Sequence, residues 1–179
     1  MARKSLISVR EEPISTPLGA MRAEYAPDGG LLRLEFMLSD MEFGAASPII
    51  HPKDSALAFQ IGEYFAGARR DFDIPLAPEG TTFQRRVWEE LRRIPCGQTL
   101  SYAELAQRIG DPRAVRAVAR ANALNPIAIL IPCHRVIGSD GTLTGYAGGL
   151  ERKARLLELE GALVPRERRQ ISLFSELKS

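Results

Sequence analysis

The sequence predicts an α/β protein in two parts. The N-terminal domain holds a small antiparallel sheet plus a helix, and the C-terminal domain is mainly helical, with a winged-helix-like helix-turn-helix. Three observations carry this reading. Residues 20–26 and 31–38 read as strands flanking Pro27-Asp28-Gly29-Gly30, a turn rich in residues that accept positive φ. Two Ser/Thr-x-x-Glu/Gln boxes, Thr81 to Gln84 and Ser101 to Glu104, each open an apolar helical stripe. Pro75 and Pro78-Glu79-Gly80 form a linker between the two regions. The expected organisation is therefore 1–80 for the N-terminal domain with its linker, 81–163 for the second domain, and 164–179 for a basic tail.

Taken in order, residues 5–38 are strands, with the hairpin at their end. Asp54 is the expected cap of a helix with apolar positions Leu57, Ala58, Ile61, Tyr64 and Phe65, stopped by Gly67. Phe83, Val87, Trp88, Leu91 and Ile94 form the buried stripe of the next helix, which ends at Pro95. A short helix runs from Ser101 to Ile109. Gly110 breaks it, Asp111 caps its successor and Pro112 takes the first position there, giving a helix-turn-helix. A last helix covers about Leu150 to Glu160, with Leu150, Ala154 and Leu157 facing the core and Gly161 closing it.

Composition limits the function classes. With 45% hydrophobic and 26% charged residues over 179 positions, the chain has the makings of a globular core. No apolar run approaches the ~20 residues of a membrane span, and Met1-Ala2-Arg3-Lys4 does not open a secretory signal, so a cytoplasmic location is expected. In that reducing setting the two cysteines should be free thiols. Two histidines with no Cys-x-x-Cys or His-x-x-His pair predict no metal. Charge is uneven: residues 1–80 carry 8 basic and 12 acidic side chains, residues 81–163 carry 12 and 8, and the tail carries 4 and 2. A polyanion met by the basic half, with nucleic acid the natural candidate, fits that asymmetry.

The chemistry concentrates in Asn125-Pro126-Ile127-Ala128-Ile129-Leu130-Ile131-Pro132-Cys133-His134-Arg135-Val136. A five-residue apolar run between two prolines delivers a thiol and an imidazole to a rigid interior. Apolar burial raises a thiol's pKa, and a neighbouring base makes its thiolate available. Read alone, Cys133 is equally a packed core cysteine. Just upstream, Arg113, Arg116 and Arg120 recur at helical spacing beside the small residues Ala114, Ala117 and Ala121, a face that is either solvated or laid on a polyanion.

Pro132-Cys133-His134-Arg135-Val136, with the preceding Asn-Pro and apolar run, resembles the active-site signature of the methylated-DNA–protein-cysteine methyltransferases, the O6-alkylguanine repair family. The likeness extends over Phe83 to Gly161, through Ile94-Pro95-Cys96-Gly97, Ser101-Tyr102, Arg113-Ala114-Val115-Arg116-Ala117-Val118 and Gly145-Tyr146-Ala147-Gly148-Gly149-Leu150. Thr16-Pro17-Leu18-Gly19 and Tyr64-Phe65-Ala66-Gly67 match more loosely, and the bacterial single-protein form is the nearest likeness.

The resemblance implies single-turnover transfer of an alkyl group from guanine O6, in double-stranded DNA, to Cys133, without cofactor and in a monomer. It implies that His134 takes the thiol proton through a water, that Glu160 orients His134, and that Tyr102 assists the departing base. It places the Arg116 helix in the minor groove, with Arg113, Arg120, Ala114 and Ala117 on the DNA-facing surface and Arg116 in the gap left by the rotated nucleotide. Asn125 joins that helix to the cysteine segment, Val136 contributes backbone to base recognition, and Tyr146, Gly148 and Gly149 cover the flipped base. Ala147 stands where relatives often have serine, and Cys96 is read as structural. Two rivals remain at this level. One is a non-catalytic sensor of alkylated DNA, and the other is a cysteine hydrolase, which needs its base from elsewhere in the chain.

Overall fold

The computed structural model describes residues 10–37 and 55–163. Three strands, β1 (Arg10–Ile14), β2 (Met21–Tyr25) and β3 (Leu31–Phe36), form an antiparallel sheet in the order β1-β2-β3. The turn at residues 27–30 does what its composition predicts: Gly29 sits at φ 89°, and Asp28 Oδ1 accepts from the Gly30 amide. Pro13 lies in edge strand β1, where a missing N–H costs the sheet least.

The other edge, β3, is not left open. The Leu31 amide donates to Pro75 O and the Ala77 amide to Leu31 O, so the linker covers one end. The Leu34 amide donates to Pro126 O and the Ala128 amide to Leu34 O, so the cysteine segment docks on the other. Satisfying an edge in this way removes a pairing hazard and fixes the cysteine segment against the N-terminal sheet.

Helix α1 (Ala56–Phe65) is capped by Ser55, whose Oγ accepts from the Ala58 amide. The expected cap, Asp54, lies outside the described residues, as does the 164–179 tail. Gly67 ends this helix at φ 73°. Helix α2 (Thr82–Arg92) carries the complete Thr81–Gln84 capping box and buries Val87, Trp88 and Leu91; α3 (Tyr102–Arg108) carries the complete Ser101–Glu104 box.

Helix α4 (Val115–Ala123) departs from expectation. Its N-cap is Ala114, which makes no side-chain capping bond. Asp111 Oδ1 accepts from the Arg113 amide, and the Asp111 carbonyl from the Ala114 amide, which closes a turn over residues 111–114. Asp111 thus stabilises the turn instead of the helix, and Arg113 precedes α4 rather than lying on it. Two short strands, β4 (Leu100–Ser101) and β5 (Val136–Ile137), pair in parallel beside the α3–α4 unit.

Helix α5 (Leu150–Leu159) buries Leu157 as expected and leaves Ala154 half-buried, but Leu150 is 48% exposed and Leu156 and Lys153 are buried in its stead. The Lys153 ammonium donates to Val136 O and Thr144 O, each at 2.6 Å. Two charge-assisted bonds to backbone carbonyls make a buried lysine tolerable.

One hydrophobic core, running from Ile14 to Leu156, includes residues from both halves of the chain. Among the described residues, no helix is long and apolar enough to cross a membrane. Loss of one cap gives a direct check on the local reading. Thr81→Ala should lower stability by about 1 kcal/mol in urea unfolding at unchanged slope, and no change would show that Gln84 alone holds the helix end.

Candidate active site

In the run Ile127–Ile131 all but the half-buried Ala128 are buried, and the run is not a strand. Ile127 bridges to Leu34, after which the backbone folds back twice. The Leu130 amide donates to Ala128 O across Ile129, a β-branched residue at φ 69°, and the Cys133 amide donates to Ile131 O across Pro132 at φ −81°, ψ 63°. The second is an inverse γ-turn, and the first has the shape of the strained γ-turn, tolerable only where packing on all sides holds it. Asn125 supplies part of that hold: its Nδ2 donates to Ile131 O at 2.7 Å and Ile127 O at 3.3 Å, and its Oδ1 accepts from the Ile127 amide at 3.0 Å. Cys133, His134 and Arg135 then form a single 3₁₀ turn, so neighbouring side chains leave in different directions.

Cys133 turns to a cavity of about 290 Å³, whose walls include Asn122, Asn125, Phe36, Tyr146 and Gly148. The cavity draws on both halves of the chain, since Arg22, Leu34, Glu35 and Phe36 belong to the N-terminal sheet. Arg152 ties the two walls together: its Nε donates to Leu18 O, its Nη1 to Gly148 O, and its guanidinium lies 4.8 Å from the Phe36 ring centre. A Cβ on Gly148 would come within 2.7 Å of the Tyr146 ring and 3.1 Å of the Phe36 ring, so only glycine keeps this wall clear.

His134 turns the other way, into the protein, and is 0% exposed. Its Nε2 lies 2.9 Å from Glu160 Oε1. Arg135 grips the same carboxylate with Nε on Oε2 at 2.8 Å and Nη2 on Oε1 at 2.9 Å, while its Nη1 donates to Ile94 O. The Tyr64 hydroxyl donates to Glu160 Oε1 at 2.8 Å. Gly97, at φ 83°, passes the backbone of Glu160 so closely that a Cβ there would meet Glu160 O at 2.9 Å.

The electrostatics follow from this packing. Burial pushes the Glu160 carboxyl up, but the hydrogen bonds from His134 and Arg135 outweigh it and hold the group well below the usual carboxylate range. An ionised Glu160 only accepts, so Nε2 of His134 carries the proton and Nδ1 keeps a free lone pair. Nδ1 has no hydrogen-bond partner among the described residues. Burial holds the imidazole below its ordinary pKa against the pull of Glu160, which favours the neutral ring with its Nδ1 lone pair open. Burial raises the Cys133 thiol, opposed by the Asn125 amide, the Lys153 charge and the amides of Cys133 and His134. Lys153 is itself pushed down to about 8 by burial.

Of the residues singled out in the sequence, Cys133, Asn125, Tyr146 and Gly148 share the cavity, and His134 and Glu160 stand together behind it. Gly149 caps α5 at φ 90°. Tyr102 and Val136 are not among the cavity's lining residues: the Tyr102 hydroxyl donates weakly to Thr144 O at 3.4 Å, and Val136 O accepts from Lys153. Arg116 and Arg120 are exposed on α4, four residues apart on one face, and Arg113 is exposed in the turn before it. Ala114 is half-buried and Ala117 exposed, while Ala121 belongs to the core. Sequence reading missed Arg135, Lys153, Tyr64 and Asn122. Lys153 had a signal, since it falls in phase with Leu156 and Leu157 on the buried stripe of α5.

A family model described as the DNA-binding domain of 6-O-methylguanine DNA methyltransferase matches residues 82–162. Over 170 residues the chain is 42% identical to a methylated-DNA–protein-cysteine methyltransferase of Shigella flexneri, spanning 89% of this chain and 99% of that protein. The chain belongs to this family. A member from Methanosarcina barkeri is 48% identical over 149 residues, covering 82% of this chain and 94% of its own. Among solved structures, Mycobacterium tuberculosis OGT in complex with DNA superposes with a TM-score of 0.74 at 43% identity, covering 87% of this chain and 95% of that one.

The buried carboxylate invites a stability test. Glu160→Gln leaves the Arg135 guanidinium buried without its counter-charge and should cost about 3–5 kcal/mol in denaturant unfolding. A loss under about 1 kcal/mol would show that the carboxylate's charge is dispensable to the fold.

Proposed function

We propose that this chain reverses O6-alkylguanine damage by transferring the alkyl group, once, to Cys133. The observation that carries this reading is the His134–Glu160 pair at 2.9 Å, set behind a thiol that faces a cavity. The Nδ1 lone pair of His134 takes the Cys133 proton, with a water as relay, and Glu160 stabilises the imidazolium that forms. The sulfur–carbon bond forms as the carbon–O6 bond breaks. The electron pair leaves on guanine, which takes up a proton and departs as the unmodified base.

Tyr102 is the proposed donor to the departing base. Burial raises its pKa, so the phenol keeps its proton, and its 3.4 Å bond to Thr144 O is weak enough to exchange. Among the described residues none is placed to cleave the product thioether, which fits a molecule that acts once. Asn122, Asn125, Tyr146 and Gly148 enclose the flipped base, and Gly149 sets the turn into α5.

Double-stranded DNA is the proposed partner, read from the minor groove by α4. Arg113, Arg116 and Arg120 are exposed along its approach, and Asn122 and Ala123 at its C-terminal end reach the cavity. A base must leave the stack to meet a buried thiol, at a cost of a few kcal/mol, and Arg116 filling the gap offsets part of that. Ala114 and Ala117 allow close approach, and Val136 is proposed to present its backbone to the base. A monomer is the proposed form, and two free thiols suit a cytoplasmic setting. A non-catalytic sensor has no use for a base behind the thiol.

Incubation with duplex DNA carrying a labelled methyl on guanine O6 tests the proposal. One equivalent of label per protein, mapped to Cys133 and lost in Cys133→Ala, is expected; binding without transfer would establish the sensor instead. Arg116→Ala should slow transfer from duplex DNA by about tenfold or more while sparing transfer from the free alkylated base, and equal losses would refute its gap-filling role.

A further inference from the structure

We infer that Tyr64, on α1 and far in sequence from the cysteine segment, is a positioning residue for the reaction: its hydroxyl fixes the Glu160 carboxylate and, through it, the imidazole of His134. The inference rests on His134 being the base of the proposed reaction. Tyr64 is 2% exposed, and its hydroxyl donates at 2.8 Å to Glu160 Oε1, the oxygen that also meets His134 Nε2 and Arg135 Nη2, each at 2.9 Å. Oε2 is held by Arg135 Nε at 2.8 Å. Three donors thus converge on Oε1 and one on Oε2, which together hold the carboxylate in place, and the imidazole takes its direction from it.

A role in packing alone would need only the ring. The ring is already placed by Phe65, edge-on at 5.3 Å, and by Phe72 at 5.5 Å. The hydroxyl is therefore the part left to explain, and burial together with the Glu160 charge raises its pKa so that it remains a donor at any working pH. It also shares the charge on Oε1 with His134. The groups facing this pair are Arg135 and Lys153, which oppose an imidazolium, Glu160, which favours it, the phenol of Tyr146, whose ring is edge-on to His134 at 6.5 Å and whose proton is held by burial, and the Cys96 thiol, which burial and the Glu160 charge keep neutral. Removing the hydroxyl returns negative charge on Oε1 to His134, so the imidazolium gains and the base is lost to protonation at a higher pH.

The experiment is the pH dependence of single-turnover methyl transfer from O6-methylguanine duplex DNA, compared among wild type, Tyr64→Phe, Phe72→Leu and His134→Gln. Tyr64→Phe should move the acid limb to higher pH and lower the neutral-pH rate by about three- to tenfold, short of the loss of ~10²-fold or more for a missing general base. Its affinity for DNA should not change. Phe72→Leu perturbs the same ring cluster and should leave the limb in place. An unshifted limb in Tyr64→Phe, or an equal shift in Phe72→Leu, overturns the inference even though transfer to Cys133 stands. Full activity in His134→Gln would instead remove the base reading on which it rests.

Discussion

The Glu160 carboxylate is the point on which the rest of the structure depends. It is a charge buried where burial alone would favour the neutral acid, and it stays ionised because Tyr64, His134 and Arg135 spend their donors on it. Those donors come from α1 and the cysteine turn, while the carboxylate closes α5. One ion therefore joins three elements that are distant in sequence. The same ion assigns the imidazole tautomer, which links the packing of the protein directly to the chemistry of its thiol.

Around this ion the chain divides the work of Cys133 and His134 between two sides of one turn. A pair of tight turns, one through Ile129 at φ 69° and one through Pro132, reverses the backbone so that the thiol meets the cavity while the imidazole meets Glu160. Such backbone would relax if it were free. It is held by the Asn125 amide within the segment and by the ladder to Leu34 on the N-terminal sheet. The N-terminal sheet is thus a wall of the site as well as a neighbour, and Arg152 secures the facing loop to it.

The helix-turn-helix serves the cavity by position. Trp88 donates its indole N–H to Ala121 O, fixing α4 against α2, and the exposed arginines of α4 lead toward Asn122 and Ala123 at the cavity wall. Exposed Arg116 and Arg120 and buried Ala121 and Asn122 sit on one helix, so a basic solvent face and part of the cavity wall belong to the same element. Family membership, shown by relatives matched over nearly their full length, agrees with this arrangement.

The sequence by itself determined the local elements whose signals are local. Both capping boxes, the turn at 27–30, the hairpin and the first helix of the helix-turn-helix form where composition and spacing place them, because each depends on contacts within a few residues. The motif around Cys133 named the thiol, its neighbour and, by resemblance, Glu160. Tertiary structure decided what long-range partners control. Asp111 closes a turn through the Arg113 amide and leaves α4 without a side-chain cap, and Lys153 lies on the inner face of α5 where carbonyls from β5 and from the loop at Thr144 meet its ammonium. In the sequence Tyr64 is an ordinary core tyrosine and Arg135 only one more residue of the cysteine motif; the fold placed a carboxylate between them, since a buried ion's partners are set by packing in three dimensions and leave no periodicity in the chain.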